Sequence, residues 1–271
     1  MAAQARPFIV ALLSDFGTDD PYVGCMKAAI LGVNPSVPII DITHSVQAHS
    51  IVAAAYTLAA TYRSFPEKTV FVCVVDPGVG SECPVLIASA GRRYFVAPDN
   101  GLLSPVFEDP DLGRVFRATA SHFFSASVAQ TFHGRDMMAP LAGWISKGVD
   151  IENMGEPYAL YKRVELPMPK LVAGGILEGQ IWHIDRFGNC ITNITREAFD
   201  QAAGTDKKFV KAVAGKHEIK TLCNYYAQAP VRGGPVCLFG SLGYVELACN
   251  RASASEFLTA NVGSIVGIVF D

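Results

Sequence analysis

The sequence has few charged residues and no run of basic ones. Only 17% of the 271 residues are charged, and the formal net charge is −3. Nucleic acids and anionic membranes recruit basic patches, so neither is expected as a partner. Half of the residues are hydrophobic, which excludes a disordered chain and predicts a large buried core.

Paired cysteines and long apolar runs are also missing. The seven cysteines are odd in number, widely spaced and never arranged as C-x-x-C, which excludes a disulfide framework and argues against a zinc site. They are expected to be small core residues of a reduced, cytoplasmic protein. No signal peptide is evident after Met1, and the apolar run 51–60 is too short to span a membrane.

Motifs for phosphate, metal or acyl chemistry are absent as well. The chain contains neither G-x-x-x-x-G-K-[ST] nor G-x-G-x-x-G, and no serine or cysteine lies in a nucleophile elbow. The spacing of Asp15, Gly17 and Asp19 resembles a calcium loop only superficially, because no acid stands at the closing position. No set of His, Cys and acidic residues has the spacing of metal ligands, so no metal is expected.

The order of predicted elements indicates an α/β fold followed by an all-β region. Strands alternate with helices in the first part, which predicts parallel strands with right-handed crossovers. The predicted elements are strands 8–13, 37–42 and 69–75, helices from Pro21 to Gly32 (capped by Asp19 or Asp20) and 50–62, a hairpin of 85–90 with 94–97, and a helix near 137–147.

We therefore predict two domains that differ in secondary structure. Residues 1–166 form an α/β domain with a mostly parallel sheet flanked by helices, and residues 167–171 form a linker. Residues 172–271 contain short strand-like runs separated by turns, and only 196–203 suggests a helix. This region is predicted to be a smaller all-β barrel or sandwich.

Polar residues follow several of the predicted strands. The strand 69–75 ends abruptly in Asp76-Pro77-Gly78-Val79-Gly80. Because strand ends converge along one edge of a parallel sheet, Asp15, Asp76 and Asn100 are expected to line one crevice. Acids there can bind a metal, take protons or hold a sugar diol. The alternative is structural, with Asp76 capping its turn and His133 capping a helix.

Five segments, taken in their order along the chain, are similar to the sequence motifs of one protein family. They are 14–20 (SDFGTDD), 76–80 (DPGVG), 98–103 (PDNGLL), 132–136 (FHGRD) and 185–193 (DRFGNCITN). The chain resembles the S-adenosyl-L-methionine (SAM) hydroxide adenosyltransferases, or SAM hydrolases, which are relatives of the 5′-fluorinases and 5′-chlorinases. The resemblance covers nearly the whole chain.

The resemblance implies a fold, a reaction and an assembly. It implies an N-terminal α/β domain and a C-terminal β-barrel. The implied reaction is attack of water on SAM at C5′, giving adenosine and L-methionine, with SAM as substrate and no cofactor. The implied assembly is a homotrimer, with SAM bound between the N-terminal domain of one subunit and the C-terminal domain of the next.

The resemblance also implies roles for individual residues. Asp76 and His133 would orient the attacking water and take its proton. Asp15 would accept both ribose hydroxyls, while Asp20 and Asp185 would lie near the amino-acid end of the substrate. Adenine contacts would come from Phe187 and Asn189. Further substrate contacts are expected from Asn100, Phe132, Ser241, Glu246, Asn250 and Arg251.

One position departs from the family pattern. The family arginine, seven residues after the aspartate, is Cys83 here, and cysteine supplies no permanent cation. Arg135, Arg92 and Arg93 are candidates to replace it in space. A SAM-dependent halide transferase and a SAM- or adenosine-binding protein with little catalysis are the alternatives. Asp76 and the Phe132-His133-Gly134 segment argue against the first, because halogenating relatives carry tyrosine and Phe-Tyr-Ser there.

Overall fold

Two separate β-sheets organise the chain. The computed structural model describes residues 7–205 and 208–271, and the chain divides at Glu165 and Leu166 into two units. The first unit contains a seven-stranded sheet with the order β2-β1-β3-β5-β4-β6-β7. Its strands are β1 (Ile9–Ser14), β2 (Ile39–Thr43), β3 (Thr69–Val74), β4 (Val85–Ala90), β5 (Arg93–Pro98), β6 (Leu112–Ala118) and β7 (Gly155–Pro157).

Helices cover both faces of this first sheet. They are α1 (Tyr22–Val33), α2 (Ile51–Thr61), α3 (Ser104–Phe107) and α4 (Ala139–Ser146). Along β1, Val10 and Leu12 pack into the core that contains residues of α1 and α4, while Ala11 and Leu13 pack into the core that contains residues of α2 and α3. Burial on both faces explains why β1 and β3 are continuous apolar runs rather than alternating ones.

The pairing in the first sheet is mostly the predicted one. Strand β1 is parallel to β2 and β3, and β3 is parallel to β5. The predicted hairpin is confirmed as the antiparallel pair β4–β5. Strand β6 was not predicted, because its sequence LGRVFRA places two arginines among its apolar residues.

The predicted cap of helix α1 is wrong. The helix begins after Pro21, which takes the N-cap position with helical dihedral angles and makes no side-chain cap hydrogen bond. Neither Asp19 nor Asp20 caps it. Helix α2, in contrast, is capped by Ser50, whose side chain accepts a hydrogen bond from the Ala53 amide.

The second unit is a curled sheet of nine strands. Its main path is β12-β11-β16-β9-β10-β15-β14-β13, with β8 paired to β9. The strands are β8 (Lys170–Val172), β9 (Ile176–Ile184), β10 (Cys190–Thr195), β11 (Phe209–Ala214), β12 (His217–Ile219), β13 (Leu222–Cys223), β14 (Pro235–Phe239), β15 (Tyr244–Cys249) and β16 (Ile265–Phe270). Since β12 and β13 are opposite edges joined by two residues, the sheet must curl back on itself.

The second unit confirms the predicted barrel-like class but differs in detail. Strand β8 begins at Lys170, so the last residues of the predicted linker 167–171 belong to a strand. Besides the predicted helix α5 (Arg196–Ala203), a short helix α6 (Ala254–Leu258) follows β15. Across the described residues, no helix is both long and apolar enough to cross a membrane.

Aromatic packing on β3 and β5 predicts a stability effect. Phe95 is fully buried and stacks on Phe71 with ring centroids 5.0 Å apart. Phe95→Ala should lower the free energy of unfolding by about 3–5 kcal/mol, because it opens a cavity in a close-packed core. Urea unfolding monitored by circular dichroism measures the loss.

The matched control is a partly exposed apolar residue of the same unit. Leu31 on α1 is 40% exposed, so Leu31→Ala should change stability by about 0.5 kcal/mol or less. Equal losses in the two variants would contradict the assignment of the core.

Candidate active site

The register of β1 and β3 brings two carboxylates together. Ser14 pairs with Val74 at the carboxyl ends of these parallel strands. Asp15 directly follows Ser14, and Asp76 lies two residues beyond Val74, so the two acids leave the sheet at adjacent positions. Both line one pocket of about 260 Å³ in the first unit. The predicted meeting of Asp15 and Asp76 is thus present.

Asp76 lies in a tight turn that shapes its electrostatics. Its Oδ1 accepts a hydrogen bond from the Gly78 amide at 3.2 Å, as in the turn predicted for this segment. Partial burial raises the pKa of Asp76, and the nearby negative charge of Asp15 raises it further, against opposing effects of the Gly78 amide and His133. A carboxyl with a raised pKa in a pocket is suited to accept a proton.

The loop that carries His133 packs directly on the Asp76 turn. Gly80 has a φ of 84°, and a Cβ placed there would lie 2.5 Å from the Gln130 carbonyl oxygen. Only glycine therefore allows this approach. His133 precedes a π-helical turn (Gly134–Met138) that leads into α4. Its electrostatic effect on Asp76 follows from this close packing of the two loops.

Asp136 holds the His133 loop through hydrogen bonds with the loop backbone and with Arg135. It is 3% exposed, and its Oδ2 accepts a hydrogen bond from the Ala129 amide at 2.9 Å. Nε and Nη2 of Arg135 each lie 2.7 Å from an oxygen of the same carboxylate, and this pairing lowers the pKa of Asp136. The loop is therefore held by a charged, hydrogen-bonded anchor.

Aromatic rings form one wall of the first-unit pocket. The Phe132 ring lies edge-on to Phe16 and to Tyr22, with centroids 5.8 Å and 5.4 Å apart. Of these, only Phe132 was predicted as a site residue. The complete lining is Asp15, Phe16, Tyr22, Ala48, His49, Val74, Asp76, Val79, Thr131, Phe132, His133 and Gly134.

Two predicted residues of the first unit lie outside this lining. Asp20 is exposed. Asn100 is used structurally, because its Nδ2 donates to the Val75 carbonyl at 2.8 Å and its Oδ1 accepts from the Leu102 amide. Asn100 thus ties the end of β5 to the residue before Asp76, and it positions that turn rather than lining the pocket.

Asp185 organises a loop in the second unit. Its Oδ1 accepts hydrogen bonds from the amides of Phe187 and Asn189, and its Oδ2 accepts from Nδ2 of Asn189, all at 2.9 Å. Asn189 is 6% exposed, whereas the Phe187 ring is 77% exposed. The loop therefore presents a bare aromatic ring on a rigid base, as a ligand platform requires.

This loop lines a second pocket of about 570 Å³. The lining is Asp185, Phe187, Asn189, Tyr226, Cys249, Asn250, Arg251, Ala252 and Ser253. The predicted residues Asn250 and Arg251 belong to it. Ser241 is exposed and outside the lining, and Glu246 is a buried neighbour rather than a lining residue.

Tyr226 is a pocket residue that the sequence did not reveal. Its hydroxyl donates to Oε2 of the 7%-exposed Glu246 at 3.0 Å. Burial, together with Glu246, raises the pKa of Tyr226 to about 12, and burial also raises the pKa of Glu246. Tyr226 begins a short 3-10 helix (Tyr226–Gln228) that carries no motif, so the adjacent tyrosines 225 and 226 were the only local signal for it.

The arginines considered as replacements for a cation at position 83 are engaged elsewhere. Arg92 pairs with Glu67, and Arg93 bonds the Phe65 carbonyl at the start of β5, at the opposite end from the Asp76 turn. Arg135 is paired with Asp136. Burial and Asp76 raise the pKa of the Cys83 thiol, while the charge of Lys162 opposes them.

Possible metal ligands do not cluster within residues 7–205 and 208–271. No group of three or more His, Cys, Asp or Glu side chains there is arranged to hold a metal ion.

Comparison with known proteins gives matches over nearly the full length. Residues 10–155 match the SAM hydroxide adenosyltransferase N-terminal domain, and residues 179–267 match the C-terminal domain of the same family. An (R)-S-adenosyl-L-methionine hydrolase of Thermus thermophilus is 33% identical over 267 residues, covering 96% of this chain and 99% of the relative.

A fluorinase and a solved structure are also similar. The fluorinase, from an Actinoplanes species, is 29% identical over 280 residues. The alignment covers 93% of this chain and 94% of the fluorinase. The crystal structure of a conserved protein from Thermotoga maritima has a TM-score of 0.90 at 31% identity. It covers 96% of this chain and 100% of that one.

The raised pKa of Asp76 predicts a pH-dependent change of stability. Its folded pKa lies above the unfolded value of 3.8, so ionising the carboxyl destabilises the native state. Asp76→Asn should therefore raise the free energy of unfolding at pH 7. The gain should be full above the folded pKa and vanish as the pH falls below 3.8, where the carboxyl becomes neutral in both states.

Urea unfolding at a series of pH values measures this effect. Asp20→Asn is the matched control, because Asp20 is an exposed acid outside the pocket, and it should show no such gain. A gain for Asp76→Asn that stays constant with pH would contradict the burial argument.

Proposed function

This chain belongs to the SAM hydroxide adenosyltransferase family, and we propose that it hydrolyses SAM to adenosine and L-methionine. The relatives named (R)-S-adenosyl-L-methionine hydrolase support this reaction. The observation that carries the proposal is that Asp76 and His133 line one pocket, on two loops that pack closely against each other.

Hydrolysis of SAM requires the protein mainly to position one water molecule for attack. The water oxygen attacks C5′ of SAM, and the bond from C5′ to the sulfonium sulfur breaks with its electron pair left on sulfur. Methionine leaves as a neutral thioether, so its departure needs neither an acid nor a metal. The released proton passes to Asp76, whose raised pKa suits it as a base, with His133 beside it.

The pocket residues suggest how the substrate is held. Asp15 has one carboxylate oxygen bonded to the His49 amide, and the other is available to the ribose diol. The rings of Phe16, Tyr22 and Phe132 exclude competing water from the reacting carbon. In the second-unit pocket, Phe187 and Asn189 contact adenine, with Asn250 and Arg251 nearby.

Fluorinases among the relatives make halide transfer the alternative activity. A halide would have to approach C5′ beside the carboxylates of Asp76 and Asp15, and like charges repel in a partly desolvated pocket. Water carries no charge and can donate a hydrogen bond to Asp76. The acidic pocket therefore favours water as the nucleophile.

The assembly proposed is a homotrimer that uses no cofactor. Each active site combines the Asp76 pocket of one subunit with the Phe187 pocket of the next. The family resemblance supports this arrangement, as does the division of the expected contacts between two units. We place the protein in the cytoplasm, because its seven cysteines are free thiols, which suits a reducing compartment.

Turnover of SAM tests the activity. The purified protein should convert SAM to adenosine and L-methionine in equal amounts, detected by mass spectrometry, with and without chloride. Asp76→Asn and His133→Asn should each lower kcat about 10²–10⁴-fold, the usual contribution of proton transfer. Glu67→Gln, an exposed acid paired with Arg92, is the control and should keep wild-type turnover.

The other outcomes would contradict this proposal. Chlorodeoxyadenosine formed only with chloride would identify a halide transferase. If the protein bound SAM but formed no product, it would be a SAM-binding protein without this catalytic activity.

Co-assembly of two variants tests the shared site. Asp76→Asn removes the base from the first-unit pocket, and Phe187→Ala removes the ring from the second, where stacking contributes about 1–3 kcal/mol. If sites form between subunits, a random 1:1 mixed trimer contains about one quarter of its sites with both residues intact. Co-expressed protein assayed at low SAM should recover about that share of wild-type activity. Activity no higher than the mean of the two parent variants would contradict a site between subunits.

A further inference from the structure

A series of four polar side chains begins next to Asp15, and its first two members, Ser14 and His44, are buried. Ser14 Oγ lies 2.7 Å from Nδ1 of His44, and these residues are 1% and 5% exposed. Nε2 of His44 lies 3.1 Å from Oδ1 of Asp41, whose Oδ2 is 2.6 Å from Nζ of Lys27. None of these four residues lines the first-unit pocket. Their arrangement is unused by the reaction derived above.

The charge on Asp41 favours one direction for the hydrogen bond between Ser14 and His44. An ionised carboxylate only accepts, and the Lys27 and His44 side chains act against burial to lower the pKa of Asp41. A proton on Nε2 of His44 faces the Asp41 carboxylate 3.1 Å away, although without hydrogen-bond geometry, and this tautomer leaves Nδ1 as an acceptor. It follows that the Ser14 hydroxyl donates to Nδ1 of His44, which leaves the lone pairs of Ser14 Oγ free to accept. The Phe16 amide lies 3.4 Å from that oxygen.

Backbone contacts bind the same two segments together. The Gly17 amide donates to the His44 carbonyl at 2.7 Å, and the Val46 amide donates to the Ser14 carbonyl at 3.3 Å. The His49 amide donates to Oδ2 of Asp15 at 2.9 Å, from a residue with a φ of 65°. Asp15 is therefore flanked by anchored residues on both sides, and its carboxylate is oriented by a third contact.

We propose that Ser14 and His44 are positioning residues that set the direction of the Asp15 carboxylate towards the ribose diol of the substrate. This rests on the proposed function, in which Asp15 accepts those hydroxyls. Both side chains are buried beneath the pocket, so they act through Asp15 rather than on the substrate. A buried hydrogen-bonded pair is costly to break, so it supports the adjacent, partly buried Asp15 carboxylate.

Ser14→Ala tests the proposal with a ligand that carries the diol and one that lacks it. The variant should weaken adenosine binding about tenfold by calorimetry, the size of one lost charge-assisted contact. Binding of 2′,3′-dideoxyadenosine, which has no hydroxyls for Asp15, should be unchanged. KM for SAM should rise about tenfold with kcat within about twofold, because the diol contact is equal in ground and transition states.

Two substitutions of His44 separate its contact with Ser14 from its contact with Asp41. The amide oxygen of His44→Asn can take the place of Nδ1 and keep the Ser14 contact, whereas the longer His44→Gln reaches towards Asp41 and loses it. His44→Asn should therefore bind adenosine more tightly than His44→Gln. Ser146→Ala is the control for lost stability, because it removes a buried hydroxyl bonded to Asn34 far from the pocket.

The outcomes are separable. Equal loss of affinity for both nucleosides in Ser14→Ala, or equal effects of Ser14→Ala and Ser146→Ala, would reduce Ser14 to a structural residue and overturn the proposal. Wild-type turnover of SAM is measured in the same series. If the wild type turns over SAM but Ser14→Ala binds adenosine normally, the positioning role alone fails. If the wild type neither turns over SAM nor binds adenosine, the proposed function fails.

Discussion

The parallel pairing of β1 with β3 is the constraint on which the first-unit pocket depends. It aligns Ser14 with Val74, so two acidic turns must emerge side by side from the middle of the sheet. The carboxylates of Asp15 and Asp76 then share a partly desolvated space, and their repulsion adds to burial in raising the pKa of Asp76. The native fold thus holds an unfavourable charge arrangement, which the apolar core on both faces of the sheet stabilises. Such local destabilisation is expected where a site is shaped for a ligand rather than for stability.

A cationic substrate would relieve this repulsion. The sulfonium and ammonium groups of SAM are positive, and a positive charge near a carboxyl favours its ionised form. Binding would therefore lower the pKa of Asp76 and stabilise its carboxylate form beside the substrate. The reaction removes the sulfonium charge, so adenosine and methionine no longer offset the two carboxylates. The same electrostatics that favour binding of SAM then favour release of the products.

Local sequence signals predicted the parts of the site that lie within motifs. The apolar strand ending in Asp76 and two glycines, the acidic turn at Asp15 and the 185–189 loop were all identifiable, because turn chemistry and strand ends are local properties. The second-unit residue Tyr226 was not identifiable, since only tertiary packing brings its short 3-10 helix to the Asp185 loop. His49 was missed for the same reason, because its role lies in a backbone amide that bonds Asp15 across 34 residues. Asn100 was assigned correctly to the strand-end edge, where its amide donates to the Val75 carbonyl.

The cysteine at position 83 bears on the choice of nucleophile. An arginine there would offset the charge of Asp76 and give the pocket a place for an anion, whereas Cys83 is held neutral because burial and Asp76 raise its pKa. Arg92, Arg93 and Arg135 are engaged elsewhere, and Lys162 acts on the thiol from beside Asp99, which its amide bonds at 2.7 Å. The pocket therefore keeps the excess negative charge of Asp15 and Asp76. That charge attracts a sulfonium and repels an anion, which agrees with the proposed use of water rather than halide as the nucleophile.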